Sequence, residues 1–167
     1  MKIAVIYYSF THNTEKVADI IINSIYRHYD SIEVKKFTFE NIDYMFLKDC
    51  SGVIFGSPTY YGNVYWKISE WFENSKNINL EGKLGAAFST ANYIQGGGEI
   101  ALQTLNNFMI VKGMLVYTSG STLGKPYIHL GPIILNFEES NIKIIESFSR
   151  KFAKKCLDIF NERPHLY

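Results

Sequence analysis

The chain has 167 residues, of which 47% are hydrophobic and 20% charged, a composition typical of a globular protein that buries its own core. Seventeen Lys and Arg residues against sixteen Asp and Glu residues leave a net charge of +1, too little to attract nucleic acid or an anionic membrane. Cys50 and Cys156 lie far apart and indicate neither a disulfide framework nor a metal site. The apolar run at the start of the chain is too short for a signal peptide. We therefore expect one cytoplasmic domain over 1–167 that binds no metal, no nucleic acid and no membrane.

Two periodicities alternate along the chain. Apolar runs typical of buried strands are followed by segments with apolar residues at helical spacing. The predicted strands are 2–8, 32–39, 52–56, 83–88 and 113–117. The predicted helices are 13–29, 40–48, 63–74, 98–111 and 139–160.

This alternation of strands and helices predicts an α/β fold: a doubly wound, five-stranded parallel sheet of order 2-1-3-4-5 with helices on both faces. Ligands of such sheets bind beyond the carboxyl ends of the strands. The loops that follow predicted strands are 9–14, 57–63, 89–98 and 118–138, and all are polar or rich in glycine. We expect them to meet at one edge of the sheet and to form a ligand site there.

The first of these loops carries neutral hydrogen-bonding side chains, at Ser9, Thr11, Asn13 and Thr14, just before a predicted helix. One such residue would serve as a helix cap. Four exceed what capping needs and favour a phosphate, which would also meet the unpaired N–H groups of the helix. No G-x-G-x-x-G follows the first strand, and the glycines of GSTLGK at 120–125 are one residue too close for a P-loop.

Three segments then resemble the flavodoxin-like FMN oxidoreductases. SFTHNT at 9–14 is similar to the flavodoxin phosphate loop S/T-x-T-G-N-T, with His12 in place of the usual glycine. GSPTYYGNVYWKISEWF at 56–72 and KLGAAFSTANYIQGGGE at 83–99 resemble the second and third flavin loops of NAD(P)H:quinone oxidoreductases and FMN reductases. KGMLVYTSG at 112–120 resembles the following strand of the WrbA type.

The resemblance implies a flavodoxin-like fold with FMN as cofactor. It assigns the phosphate to the first loop: Ser9, Phe10, Thr11, His12, Asn13 and Thr14. It assigns one side of the isoalloxazine ring to the second loop: Pro58, Thr59, Tyr60, Tyr61, Gly62 and Asn63. It assigns the other edge and the ribityl chain to the third loop: Thr90, Ala91, Asn92, Tyr93, Gln95 and Gly96.

The same resemblance implies an FMN-dependent oxidoreductase that passes electrons from NADH or NADPH to a quinone or a similar small-molecule redox substrate. The alternative is a flavodoxin-type one-electron carrier, although a net charge of +1 provides little of the acidic surface on which carriers usually rely. Family resemblance and the aromatic residues Tyr65, Trp66 and Trp71 lead us to expect a homodimer or larger homo-oligomer.

The chain departs from the WrbA type at positions that form the substrate pocket of that type. Lys112 precedes Gly113 where that type carries a histidine, and 73–83 provides no aromatic wall. His129 and Tyr127 are weak candidates for a catalytic proton donor. Lys125 is a candidate for contacting the phosphate of NADPH.

Overall fold

The computed structural model describes residues 1–120 and 127–161. Within these residues the strands are β1 Lys2–Tyr7, β2 Glu33–Thr38, β3 Gly52–Tyr60, β4 Asn63–Val64, β5 Leu84–Thr90, β6 Leu115–Val116 and β7 Ile133–Ile134. The helices are α1 Asn13–His28, α2 Tyr44–Asp49, α3 Trp66–Asn74, α4 Gly98–Val111 and α5 Glu139–Phe160. None of these helices is long and apolar enough to cross a lipid bilayer.

The strands form one sheet with the order β2-β1-β3-β5-β6, and every pairing along this path is parallel. β7 pairs with the carboxyl end of β5 and β6 with its amino end, so the two short strands share the fifth position. β4 is antiparallel to β3 and lies off this path. The predicted doubly wound fold and its order 2-1-3-4-5 are therefore confirmed.

The core lies in two layers, one on each side of the sheet. Side chains alternate along a strand, so Ile3 and Val5 of β1 pack with α1 and α5 while Ala4 and Ile6 pack with α2, α3 and α4. All four side chains are fully buried. This explains the continuous apolar run of the first strand, because a parallel strand covered on both faces has no solvent side.

The predicted end of the third strand, at Gly56, is wrong, because β3 continues to Tyr60. Tyr8 N donates to Gly56 O, so the backbone of Pro58, two residues further on, faces the same side of β3, where β1 has already ended. The absence of an N–H group in proline therefore breaks no hydrogen bond between the two strands there. Tyr61 and Gly62 then have φ angles of 47° and 71° and turn the chain into β4, as in a type I′ hairpin.

Two helices begin later than the sequence predicted. α3 begins at Trp66 because Asn63 and Val64 pair with β3. α2 begins at Tyr44 because Asp43 caps it, with Phe46 N donating to the Asp43 carboxylate at 3.0 Å.

The fifth strand is interrupted, which the sequence did not predict. Only Leu115–Val116 of the predicted segment pairs with β5, and the chain returns as Ile133–Ile134. Gly131 makes this return possible: its φ is 132°, and a Cβ there would collide with the carbonyl group of Ala87. The return carries 134–137 to the carboxyl edge of the sheet, beside the ligand loops.

Candidate cofactor site

A cleft of about 500 Å³ lies at the carboxyl edge of the sheet. Four segments line it, each at or just after the carboxyl end of a strand: Phe10, Thr11, Asn13, Pro58, Thr59, Tyr60, Thr90, Ala91, Asn92, Ile134, Leu135, Asn136 and Phe137. The cleft is thus at the edge where the sequence led us to expect a ligand site. Ile134–Phe137 were missed as site residues, because a two-residue strand after Gly131 and Pro132 has no periodicity to reveal it.

The first loop ends in a left-handed residue. His12, the residue before α1, has φ 60° and ψ 2°, a conformation that glycine adopts without strain. This accounts for the glycine that the resembling motif usually carries at this position. His12 provides no side-chain cap to α1, and the Ser9 hydroxyl instead accepts a hydrogen bond from Glu15 N at 3.3 Å. The open end of the helix faces the same edge of the sheet as the cleft.

A hydroxyl pair joins the first loop to the third. Thr14 is buried, and its Oγ1 lies 2.8 Å from Oγ1 of Thr90. Each hydroxyl has one proton and two lone pairs, so one of the two protons remains free for a ligand. The bond ties the start of α1 to the end of β5 on either side of the cleft.

One polar atom of the cleft is left without a partner. Thr59 Oγ1 is buried and makes no hydrogen bond. A buried hydroxyl without a partner destabilises a protein by about 1–3 kcal/mol. Because Thr59 lines the cleft, a ligand with a polar edge would satisfy this hydroxyl, and the donor set fits the polar edge of a flavin.

The second and third loops touch through two glycines. Gly97 has φ 89°, and a Cβ at this position would lie 2.6 Å from both Cα and O of Gly62. Both residues have positive φ, which glycine alone adopts readily. The contact holds the β3–β4 hairpin, whose residues Thr59 and Tyr60 line the cleft, against the start of α4. Asn63 strengthens it, since its Oδ1 accepts from Thr104 Oγ1 at 2.7 Å.

Aromatic rings pack beneath the hairpin side of the cleft. The ring centroids of Phe10 and Tyr60 are 5.3 Å apart, and those of Phe10 and Tyr65 are 4.8 Å apart. Tyr8 packs against Tyr65 at 4.3 Å, and burial raises the pKa of Tyr8 to about 12. The Tyr8 phenol is therefore neutral at physiological pH.

A charged network lies behind the first loop. Glu15 accepts from His12 Nδ1 at 2.8 Å, from Lys36 Nζ at 2.9 Å and from the Tyr7 hydroxyl at 3.1 Å. Lys36 also pairs with Asp19 at 2.7 Å. His12 first, then Lys36 and Tyr7, lower the pKa of Glu15 to about 2. The negative charge of Glu15 is thus paired with groups outside the cleft, and no Lys or Arg is among the residues that line the cleft. A phosphate here would be held by neutral groups and by the amino end of α1.

Several predicted cofactor residues lie outside the lining of the cleft. They are Ser9, His12, Thr14, Tyr61, Gly62, Asn63, Tyr93, Gln95 and Gly96. Tyr61 is fully exposed and Tyr93 is 75% exposed, so neither contacts the cleft wall in this structure. Their contact with a cofactor stays a prediction.

The two candidate proton donors are not at the cleft. Tyr127 and His129 line a second cleft of about 350 Å³ between α4, α5 and the segment that returns to the sheet. Lys125 lies outside the described residues. Cys50 and Cys156 are buried, and burial raises the pKa of each thiol to about 12, so neither is a reactive thiolate. No group of three His, Cys, Asp or Glu side chains suited to a metal occurs within 1–120 and 127–161.

Solved structures share this fold. A flavodoxin from the domain Archaea superposes with a TM-score of 0.76 at 24% identity, over 93% of this chain and 99% of that one. A WrbA-like protein from Agrobacterium tumefaciens gives 0.78 at 15% identity, over 94% and 98%. The flavodoxin of Fusobacterium nucleatum bound to flavin mononucleotide gives 0.73 at 19% identity, over 92% and 98%.

Sequence relatives discriminate more finely than folds do. No protein-family model matches the chain. An NAD(P)H dehydrogenase (quinone) from Acidithiobacillus ferrooxidans is 32% identical over 85 residues, which is 48% of this chain and 40% of that protein. The flavodoxin of Clostridium saccharobutylicum is 46% identical over 161 residues, which is 96% of this chain and 100% of that protein. The chain belongs to the flavodoxin family.

Proposed function

We propose that the protein binds FMN in the cleft and carries electrons one at a time between redox proteins. The observation that carries this proposal is the match along the whole of a flavodoxin, whereas the match to a quinone dehydrogenase covers 48% of the chain. The carrier, which the sequence left as the alternative, is thus better supported than the NAD(P)H-dependent enzyme. Shared fold alone would not decide this, because both types of protein superpose on the chain.

The residues of the cleft divide the work of binding. Thr11 and Asn13, with the amino end of α1, would hold the phosphate by hydrogen bonds and by the helix dipole. Thr59 and Tyr60 of the hairpin would contact the ring from one side, with the Thr59 hydroxyl gaining the partner that it lacks. Thr90 and its neighbours would contact the ring from the other side.

FMN supplies the redox chemistry, accepting and releasing electrons singly or in pairs, and the protein orients it and sets its potentials. No Lys or Arg lines the cleft, so the environment would oppose the build-up of negative charge on a reduced ring. The Tyr8 phenol, whose pKa burial raises to about 12, has the same effect. An environment of this kind favours separate one-electron steps with a low second potential.

The geometry also supports a carrier over a hydride-transfer enzyme. Hydride transfer needs a nicotinamide to stack on an open face of the flavin ring. Here the Gly62–Gly97 contact holds the hairpin against the start of α4, so the Tyr60 side chain that lines the cleft would stay beside the ring. The residues that we considered as proton donors, Tyr127 and His129, line a different cleft.

The expectation of a homodimer now has a weaker basis. Trp71 is turned inward, with its ring 5.3 Å from that of Phe39 and its Nε1 donating to the Tyr44 hydroxyl at 3.3 Å. Tyr65 packs against Tyr8. Only Trp66 of the three aromatic residues is exposed. A homo-oligomer therefore remains a proposal that rests on family resemblance and on Trp66.

Anaerobic mixing with pyridine nucleotides tests the proposed function. The FMN-loaded protein is mixed with NADH and, separately, with NADPH, and the flavin absorbance is followed for minutes. A carrier is reduced by neither nucleotide at a rate that would sustain turnover, yet is reduced by dithionite. Rapid bleaching by either nucleotide, followed by reoxidation with a benzoquinone, would contradict the proposal and would support an NAD(P)H-dependent oxidoreductase instead.

A further inference from the structure

The chain segments that form the surface around the cleft contain no Asp, Glu, Lys or Arg among their described residues. We define the cleft face as residues 9–14, 57–66, 89–98 and 127–137. None of these four segments contains Asp, Glu, Lys or Arg, although 20% of the chain is charged. Their two histidines are His12, which pairs with Glu15, and His129, which lines the second cleft.

Large apolar side chains stand out from this same face. Those at least one-third exposed are Phe10, Tyr60, Tyr61, Trp66, Tyr93, Ile94, Tyr127 and Leu135. Ile94 precedes Gly97 in the sequence and is 79% exposed, and Trp66 follows Gly62 and is 57% exposed. A group of exposed aromatic and aliphatic residues around a cleft is typical of a surface that contacts another protein.

The charges that border the cleft face are of both signs. Glu15 and Lys16 follow the first segment on α1, and Lys16 Nζ lies 4.1 Å from the centroid of the Phe137 ring. Lys67 follows Trp66 on α3, Glu99 lies in the first turn of α4, and Glu138 precedes α5. The whole chain carries a net charge of only +1. Neither the border nor the chain as a whole therefore produces a field of one sign that would steer a charged partner towards the cleft.

From this arrangement, and given the proposed electron-carrier function, we propose that the cleft face docks a redox protein whose own cofactor is surrounded by apolar, uncharged side chains. Charge complementarity selects this partner. A partner ringed by lysines or carboxylates would have to bury those charges against a face that offers no opposite charge, and this desolvation is unfavourable. An apolar partner would gain from burial of the exposed aromatic residues.

Salt dependence of electron transfer distinguishes this docking from the steered kind. The probe is cytochrome c, a small haem protein with a strongly basic surface, reduced by the FMN-loaded and prereduced protein in a stopped-flow instrument. We expect the second-order rate to change less than about twofold between 10 and 500 mM NaCl. Electrostatic steering raises association rates by about 10- to 1,000-fold and is lost at high salt. A fall of more than about tenfold would overturn the proposal.

Truncations test the apolar contact itself. For this test the probe is oxidised azurin, a small copper protein whose metal lies beneath an uncharged apolar patch. Ile94→Ala and Trp66→Ala, neither of which lines the cleft, should each lower the rate of azurin reduction by about fivefold at both salt concentrations, the effect of one lost apolar contact in an interface. Val111→Ala is the matched control, because Val111 is 84% exposed but lies at the far end of α4. Equal rates for all three variants would overturn the proposal.

Two further measurements separate the remaining outcomes. FMN uptake, followed by quenching of FMN fluorescence, is measured first: a protein that takes up no FMN contradicts the proposed function and the docking with it. A protein that binds FMN but fails the rate tests contradicts the docking alone. Sedimentation of the loaded protein shows whether a second copy covers the face. A dimer that Ile94→Lys dissociates would replace the proposed partner by this chain itself.

Discussion

The contact between Gly62 and Gly97 should be required for the cleft to bind its cofactor. In Gly97→Ala the new Cβ would lie 2.6 Å from the Gly62 backbone, about 1 Å closer than ordinary van der Waals contact, and Ala would be held at φ 89°. The backbone strain costs about 1–2 kcal/mol. Because backbone atoms rather than a flexible side chain occupy the space, the hairpin that carries Thr59 and Tyr60 must move. A further loss of about 1.4 kcal/mol in FMN binding corresponds to tenfold weaker affinity.

The assay pairs Gly97→Ala with a control that has strain but no collision. Gly82 has φ 74°, and a Cβ there would meet nothing within 4 Å. Gly82 also lies before β5, at the opposite end of that strand from the cleft. Gly82→Ala should lose about 1–2 kcal/mol in the free energy of unfolding, measured by urea denaturation without FMN, and Gly97→Ala should lose at least as much. Only Gly97→Ala should lose FMN affinity, by tenfold or more in a fluorescence titration. If both variants bind FMN as the unmodified chain does, the reasoning about the loop contact is refuted.

Three other substitutions test separate parts of the structure. Thr59→Val keeps the shape of the side chain but removes a buried hydroxyl that has no partner. The free energy of unfolding of the FMN-free protein in urea should therefore rise by about 1 kcal/mol, while FMN binds more weakly. A fall in that free energy would show that the hydroxyl has a hydrogen-bond partner. Glu15 has its pKa lowered from 4.5 to about 2, so its pairing stabilises the fold above pH 4.5 and is lost as the pH falls towards 2. Glu15→Gln should therefore flatten the pH dependence of unfolding across that window, and an unchanged profile would contradict the pairing. Gly131→Ala should detach β7 from β5 and lower both stability and FMN affinity, whereas full FMN affinity would show that 134–137 do not contribute to the site.

The elements with strong periodicity were predicted well from the sequence. The observed bounds of α4 and α5, Gly98–Val111 and Glu139–Phe160, match the predicted ranges, because each helix carries apolar residues at helical spacing over several turns. The sheet order followed from the alternation of strands and helices and from the right-handed crossover rule.

The elements held only by tertiary pairing were not predictable. β4, β6 and β7 have two residues each and are defined by the strand beside which they lie. The end of β3 was placed too early because Pro58 usually marks a strand end, and only the register with β1 shows that its missing N–H has nothing to donate to.

The candidate site was predictable as a set of loops but not as a set of contacts. Three of the lining segments lie in motifs that were visible in the sequence. The bond between Thr14 and Thr90 joins residues 76 positions apart, and nothing local to either residue reveals it. The same holds for the Gly62–Gly97 contact. Tyr127 and His129 follow a predicted strand in the sequence, yet they line the second cleft and not the first.

A redox titration of the FMN-loaded protein tests the central claim most directly. The protein is reduced stepwise under anaerobic conditions, and its absorbance is followed against the applied potential. A one-electron carrier should show two waves separated by more than about 120 mV, since 59 mV corresponds to a tenfold change in equilibrium for one electron. A single two-electron wave, or a protein that retains no FMN to titrate, would contradict the account.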